Sequence, residues 1–152
     1  MNLQITHYQF GEKPTVTRPN PEFLTAMGEA GIRLMVSRFY DALRQSSIKH
    51  LFKQDDTEFE QSKAHSADFM IQILGGTEYY NLHRGKPMMA NRHAPFNITP
   101  EARIVWLTCY KQILMEIDAP EHLIESFWNY LNVFSNWMVN TNPSNPVFKM
   151  KL

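Results

Sequence analysis

Six histidines, a single cysteine and a supply of tyrosines and tryptophans are the groups in this chain with chemistry to offer. Of these, His93 stands out by its surroundings. It lies in Arg84–Thr99, a stretch opened by Arg84-Gly85-Lys86-Pro87 and punctuated again by Pro95. The two prolines leave room for barely two turns of helix. Ala94 precedes Pro95 and is therefore biased towards extended geometry, which predicts a helix that stops at His93. There the imidazole can give one N–H to the carbonyl of Met89, one turn back, and keep its other nitrogen free as a metal ligand. Taken alone, a histidine so placed is more commonly satisfied or exposed than ligating, and the other five form no close-spaced ligand set. Cys109 by itself makes neither an internal disulfide nor a zinc site. One protein ligand suffices for a metal that arrives already chelated, as haem iron does.

A haem would need a flat apolar slot, cations for its carboxylates and polar donors near the free face of the iron. Phe52, Phe69, Met89, Phe96 and Ile98 are candidates for the slot, and Arg92 for a carboxylate. His65 lies on a helix shoulder beside Ser62 and Phe69. Tyr40 and Trp106 each sit in an otherwise apolar helix face, where a buried phenol or indole N–H needs a partner. Periodicity alone reads both as core aromatics bonded to backbone and the methionines as gap fillers, so spacing leaves the question open.

These side chains need elements to position them. Residues 1–20 are poor in core-type residues and punctuated by Pro14 and Pro19, an extended arm in character. Pro21 to Met27 suits a short helix ended by Gly28 and Gly31. From Ile32 the spacing Ile32, Met35, Val36, Phe39, Tyr40, Leu43 is that of an amphipathic helix. Ser46–Asp56 breaks the period. Asp56 or Thr57 can cap the next helix, which should run to the Gly75-Gly76 stop. Its inner stripe, Ser62, Ser66, Phe69 and Ile73, begins with two small hydroxyl residues that leave space where bulk would fill it. Tyr79 and Tyr80 precede the His93 stretch. Thr99-Pro100-Glu101 supplies a cap, a first-turn proline and a first-turn acid. The following helix carries Trp106, Tyr110, Ile113 and Ile117 on one stripe. The last carries Leu123, Phe127, Leu131, Phe134 and Met138; Asn140–Pro146 ends it, and a loose tail follows. With no period-2 stretch long enough for a strand, the class is all-α, with four major helices.

Composition narrows the partners. A length of 152 residues with 43% hydrophobic and 20% charged content is ordinary for one globular domain. The formal net charge of +0 makes no electrostatic case for a nucleic-acid or membrane-surface partner. No membrane-spanning run or signal pattern is present, so a cytoplasmic location is the expectation. Nine methionines and 12% aromatic residues form an apolar supply of flat and adaptable groups.

The sequence resembles the truncated haemoglobins of group II, the O type. The residues that carry the resemblance are Arg38-Phe39-Tyr40, Gly75-Gly76 with Tyr80, Arg84-Gly85-Lys86-Pro87, Arg92-His93-Ala94-Pro95-Phe96, Ile98-Thr99, and Arg103 with Trp106-Leu107. They cover about residues 21–141, which sets a globin domain there between a 1–20 arm and a 142–152 tail. The resemblance implies a two-over-two helical sandwich around haem b (iron protoporphyrin IX). It assigns His93 as proximal ligand, Tyr40 and Trp106 as distal donors, and Ser62 and Ser66 as residues facing the iron. Phe52 then wedges the haem edge. Phe69, Met70, Tyr80, Met89, Phe96 and Ile98 line the haem, and His65 and Arg92 face its carboxylates. Thr77 and Lys86 depart from the family pattern, and the two distal serines make the pocket roomier and more polar than leucine or glutamine would.

The implied function is binding of O₂, NO or CO. Donors that hold O₂ tightly suit O₂/NO or peroxide redox chemistry, such as NO dioxygenation, better than oxygen transport. No flavin or nicotinamide motif appears, so turnover would draw electrons from a separate reductase. The alternative is a non-catalytic oxygen-binding, storage or sensor globin.

Overall fold

A computed structural model describes residues 1–142. The helices are α1 (Glu22–Arg44), α2 (Asp56–Ile73), α3 (Tyr79–Arg84), α4 (Met89–His93), α5 (Pro100–Leu114) and α6 (Glu121–Met138), with a 3₁₀ turn at Lys49–Leu51. The four long helices fall where the apolar periods lie, and α3 and α4 are the short additions. Helix α1 packs with α2, α5 packs with α6, and the two pairs meet chiefly through α1 and α5. Among the described residues there is no strand, and no helix is long and apolar enough to cross a membrane. Residues 143–152, which hold the expected tail, lie outside the described part.

Local chemistry explains most of the boundaries. Gly28 breaks α1 with φ 71° and ψ 161°, a conformation that glycine reaches without a Cβ clash. Gly31, expected to share in that break, instead lies inside the second segment, since one left-handed glycine already redirects the chain. Asp55, and neither Asp56 nor Thr57, caps α2; its carboxylate accepts from the Glu58 N–H at 3.0 Å. At the far end, a Cβ on Gly76 would stand 2.7 Å from side-chain atoms of both Ile71 and Leu24. Only glycine lets the α2 exit pass this close to α1. Thr99 caps α5 as its spacing predicts, accepting from the Ala102 N–H at 3.1 Å.

Helix α4 ends at His93, but not for the reason the proline suggests. Ala94 keeps helical angles of φ −54° and ψ −35°. A turn closed by the Phe96 N–H on the His93 carbonyl at 3.0 Å outweighs the pre-proline bias.

The core gathers Phe23, Ile32, Val36, Phe39 and Leu43 of α1 with Leu107, Tyr110 and Leu114 of α5 and Phe127 and Leu131 of α6. The N-terminal arm is tied down along α6. Trp128 Nε1 donates to the Gln4 carbonyl at 2.9 Å, and Asn132 Oδ1 accepts from the Thr6 N–H at 2.8 Å. Asn136 Nδ2 donates to the Glu12 carbonyl and Trp137 Nε1 to the Pro14 carbonyl. Leu3 is buried in the core with them.

Candidate haem-binding site

All fourteen side chains singled out in the sequence line one cavity of about 320 Å³. That volume lies within the ~300–1,000 Å³ typical of cofactor pockets. The cavity opens where α2 leaves its stripe unfilled: Ser62, His65, Ser66, Phe69 and Met70 face it, whereas Ile73, one turn further, packs into the core instead.

Helix α4 delivers His93. Its Nδ1 is 2.7 Å from the Met89 carbonyl, the one-turn-back contact that the spacing suggests. That bond makes Nδ1 the protonated nitrogen and leaves Nε2 with its lone pair free. A helix of five residues has little stability of its own, so the position of His93 depends on tethers. One is Arg92, whose guanidinium donates to the carbonyls of Pro87 (2.6 Å), Arg84 (2.7 Å) and Lys86 (3.0 Å) and folds that loop against α4. It also lies 5.3 Å from the Tyr80 ring centroid. The other tether is Asn140, just past α6. Its amide accepts from the Ile98 N–H at 3.0 Å and donates to the carbonyls of Phe96 (2.9 Å) and His93 (3.3 Å).

The remaining polar groups come from α1, α2 and α5. Tyr40 meets Phe52 edge-on at 5.7 Å and Phe39 at the same distance. Burial raises the Tyr40 phenol above its ordinary range, against a downward pull from the Ser66 hydroxyl. It is therefore a protonated donor at neutral pH. Trp106 stands edge-on to Phe39 at 5.3 Å and to Tyr110 at 5.0 Å, which fixes its ring from behind. His65 is pushed below the usual histidine range by burial first, then by the Arg84 charge, with Asp68 acting in the opposite direction. The ring is neutral at pH 7, and its buried Nδ1 has no hydrogen-bond partner among the described residues.

Several lining residues carried no functional signal in the sequence. Phe134 and Met138 read only as the apolar face of the last helix, yet both reach the cavity. Arg103 and Ser135 also line it, bonded to each other at 2.9 Å. Arg103 belongs to the residues shared with the group II pattern, but its guanidinium is committed to Ser135 and to the Asn132 carbonyl at 2.7 Å. Asn140 does not line the cavity, and nothing in its neighbourhood signals its role.

This helical architecture, with His93 and a tyrosine–tryptophan pair around a largely apolar cavity, is that of a globin. The sequence pattern of bacterial-like globins matches residues 23–140. The Group 2 truncated hemoglobin YjbI of Bacillus subtilis (strain 168) is 31% identical over 116 residues, spanning 76% of this chain and 86% of the relative. Among solved structures, phosphate-bound Hell's gate globin IV superposes with a TM-score of 0.83 at 33% identity, covering 91% of this chain and 88% of that one. The truncated oxygen-avid haemoglobin from Bacillus subtilis gives 0.70 at 29% identity, covering 78% and 98%. The chain belongs to the bacterial-like globin family, among the group II truncated haemoglobins.

Membership of the globins implies a haem, and the site fits one. Among the described residues no three histidine, cysteine, aspartate or glutamate side chains cluster to hold a bare ion. A metal that arrives chelated would need a single protein donor, and the Nε2 of His93 would be available to it. Much of the remaining wall is aromatic and aliphatic, with Arg84 and Arg92 among the cations within it.

Proposed function

We propose that the cavity holds haem b with His93 as the axial ligand, and that the protein binds O₂ and the related diatomics NO and CO for redox work. The observation that carries this reading is the 2.7 Å contact of His93 Nδ1 with the Met89 carbonyl inside the same cavity that Tyr40 and Trp106 line. It sets both the tautomer and the ring orientation of this histidine. Bound haem would supply an iron able to take a diatomic gas.

The chain's own residues set what happens to that gas. The phenol of Tyr40 and the indole N–H of Trp106 are donors held by surrounding rings, so they need no reorganisation to meet partial negative charge on a ligand oxygen. Ser62 and Ser66 leave room beside them and offer further hydroxyls. The apolar wall of Phe52, Phe69 and Phe96 limits water. Firm retention of oxygen agrees with the oxygen-avid character of the similar truncated haemoglobin from Bacillus subtilis, and it favours O₂/NO or peroxide chemistry with an external electron donor over delivery.

The deciding experiment is spectroscopic. Purified protein supplied with haem should show a Soret band that is lost or strongly shifted in His93→Ala. No band after haem supplementation overturns the reading. If the band is present but every cellular donor re-reduces the protein slowly after NO oxidation, the protein is a storage or sensor globin instead.

A further inference from the structure

We propose that the exposed rim formed by residues 81–97 is a docking surface for an acidic electron-transfer protein of the flavin or iron–sulfur class; this rests on the redox reading above. Between Glu78 and Glu101 there is no carboxylate, yet the segment carries Arg84, Lys86 and Arg92 in a chain of net charge +0. Five cations elsewhere are matched by carboxylates: Arg33 with Asp68, Arg38 with Glu116, Arg44 with Asp56, Lys53 with Glu58 and Lys63 with Asp41. Arg84 and Lys86 are exposed and make no ion pair among the described residues.

Apolar side chains are interleaved with these charges. Leu82 is 74% exposed, Met88 57% and Phe96 43%, three of the eight large hydrophobic residues left open to solvent. Single exposed apolar residues are unremarkable, but three within fifteen positions beside unpaired cations match the apolar centre and charged edge of a recognition surface. The rim is also stiff. Arg92 gathers the carbonyls of Arg84, Lys86 and Pro87. Met88 is held at φ 42°, the one left-handed non-glycine among the described residues. Strain of this kind persists where surrounding structure imposes it and recurs at binding segments.

The placement ties the rim to the site. Arg84, Arg92, His93 and Phe96 all line the cavity, so a partner seated on the rim abuts its wall. The three fixed cations outnumber the two carboxylates of a haem, so the rim stays positive with the cofactor in place. Complementary charge steers an acidic donor to this edge and speeds encounter without demanding a large interface, as short-lived redox complexes require. The step served is one-electron transfer: the reduced donor is oxidised, the ferric iron of the holoprotein is reduced, and no bond is made or broken.

The test uses haem-loaded protein and, as probe, pre-reduced plant-type ferredoxin, which is acidic, in anaerobic stopped flow. Reduction should slow about tenfold or more between low and high salt. It should slow comparably in Lys86→Glu and Leu82→Ser, neither of which lines the cavity. The Soret band, CO affinity and reduction by dithionite should be unchanged in both. With redox-inert gallium-substituted ferredoxin, backbone amide shifts should cluster at residues 81–97. Rates indifferent to salt and to both variants overturn the proposal. So does equal or faster reduction by a basic donor protein, or a rim that instead binds phosphatidylserine vesicles or a second copy of this chain. A chain that takes up no haem fails at the Soret band before any donor is added, which overturns both readings at a distinguishable point.

Discussion

Tyr40 and Trp106 show what can be argued from single side chains. Each sits in an apolar helix face, and each is fixed by ring contacts to Phe39. Tyr40 is kept protonated by burial. If both donate to bound oxygen, Tyr40→Phe and Trp106→Phe should each accelerate O₂ dissociation from the holoprotein. A hydrogen bond to a charged acceptor is worth about 1.5–3 kcal/mol, so each off-rate should rise about 10- to 150-fold. Unchanged off-rates in both variants would remove the distal-donor reading. These residues were legible through the resemblance to the group II pattern, because the periodicity of their own helices by itself reads both as core aromatics. Arg92 was legible as a cation near the site, but its commitment to three loop carbonyls was not. Those acceptors are backbone groups, which every residue type carries.

Among the elements, α4 matters most and is the least self-sufficient. Five residues cannot nucleate a stable helix in isolation, and α4 stands because Arg92 and Asn140 tie it to the loop before it and the helix after it. Asn140→Ala should therefore leave the Ile98 N–H without its side-chain acceptor and remove the side-chain donor to the carbonyls of His93 and Phe96. A loss of about 1–3 kcal/mol should appear as a lower melting temperature and faster haem loss to an excess of apomyoglobin, while the Soret band is retained. Haem retention and melting equal to the parent protein would show that the tether is idle. In the sequence Asn140 marks only the end of a helix. Its partners lie 42 to 47 positions away, and spacing rules act within a few turns. The α2 cap, misplaced by one residue, has a local cause: Asp55, Asp56 and Thr57 stand in a row and each can accept a first-turn N–H, and the fold uses Asp55.

Taken whole, the molecule joins its domain to its arm. Removing residues 1–19 would strip Leu3 from the core and leave Trp128, Asn132, Asn136 and Trp137 of α6 without the arm's partners. At about 1 kcal/mol for each of the four hydrogen bonds plus the burial of Leu3, the loss should be on the order of 5–7 kcal/mol, or roughly 10–28 °C in melting temperature for a chain of this size. A truncated holoprotein that melts with the full chain would show that the arm is only apposed. The sequence by itself determined the helical class, the four long helices and the residue types that meet at the cavity. Helical periodicity and capping are short-range effects, written at spacings of three and four residues. Tertiary structure alone decided that an arm of few apolar residues docks on α6, that Ala94 stays helical before Pro95, and that a five-residue helix can aim His93. Each of these depends on backbone amides and carbonyls finding particular partners, some a turn away and some more than forty residues away in the chain. Those groups are the same in every residue, so only the folded arrangement says which of them meet.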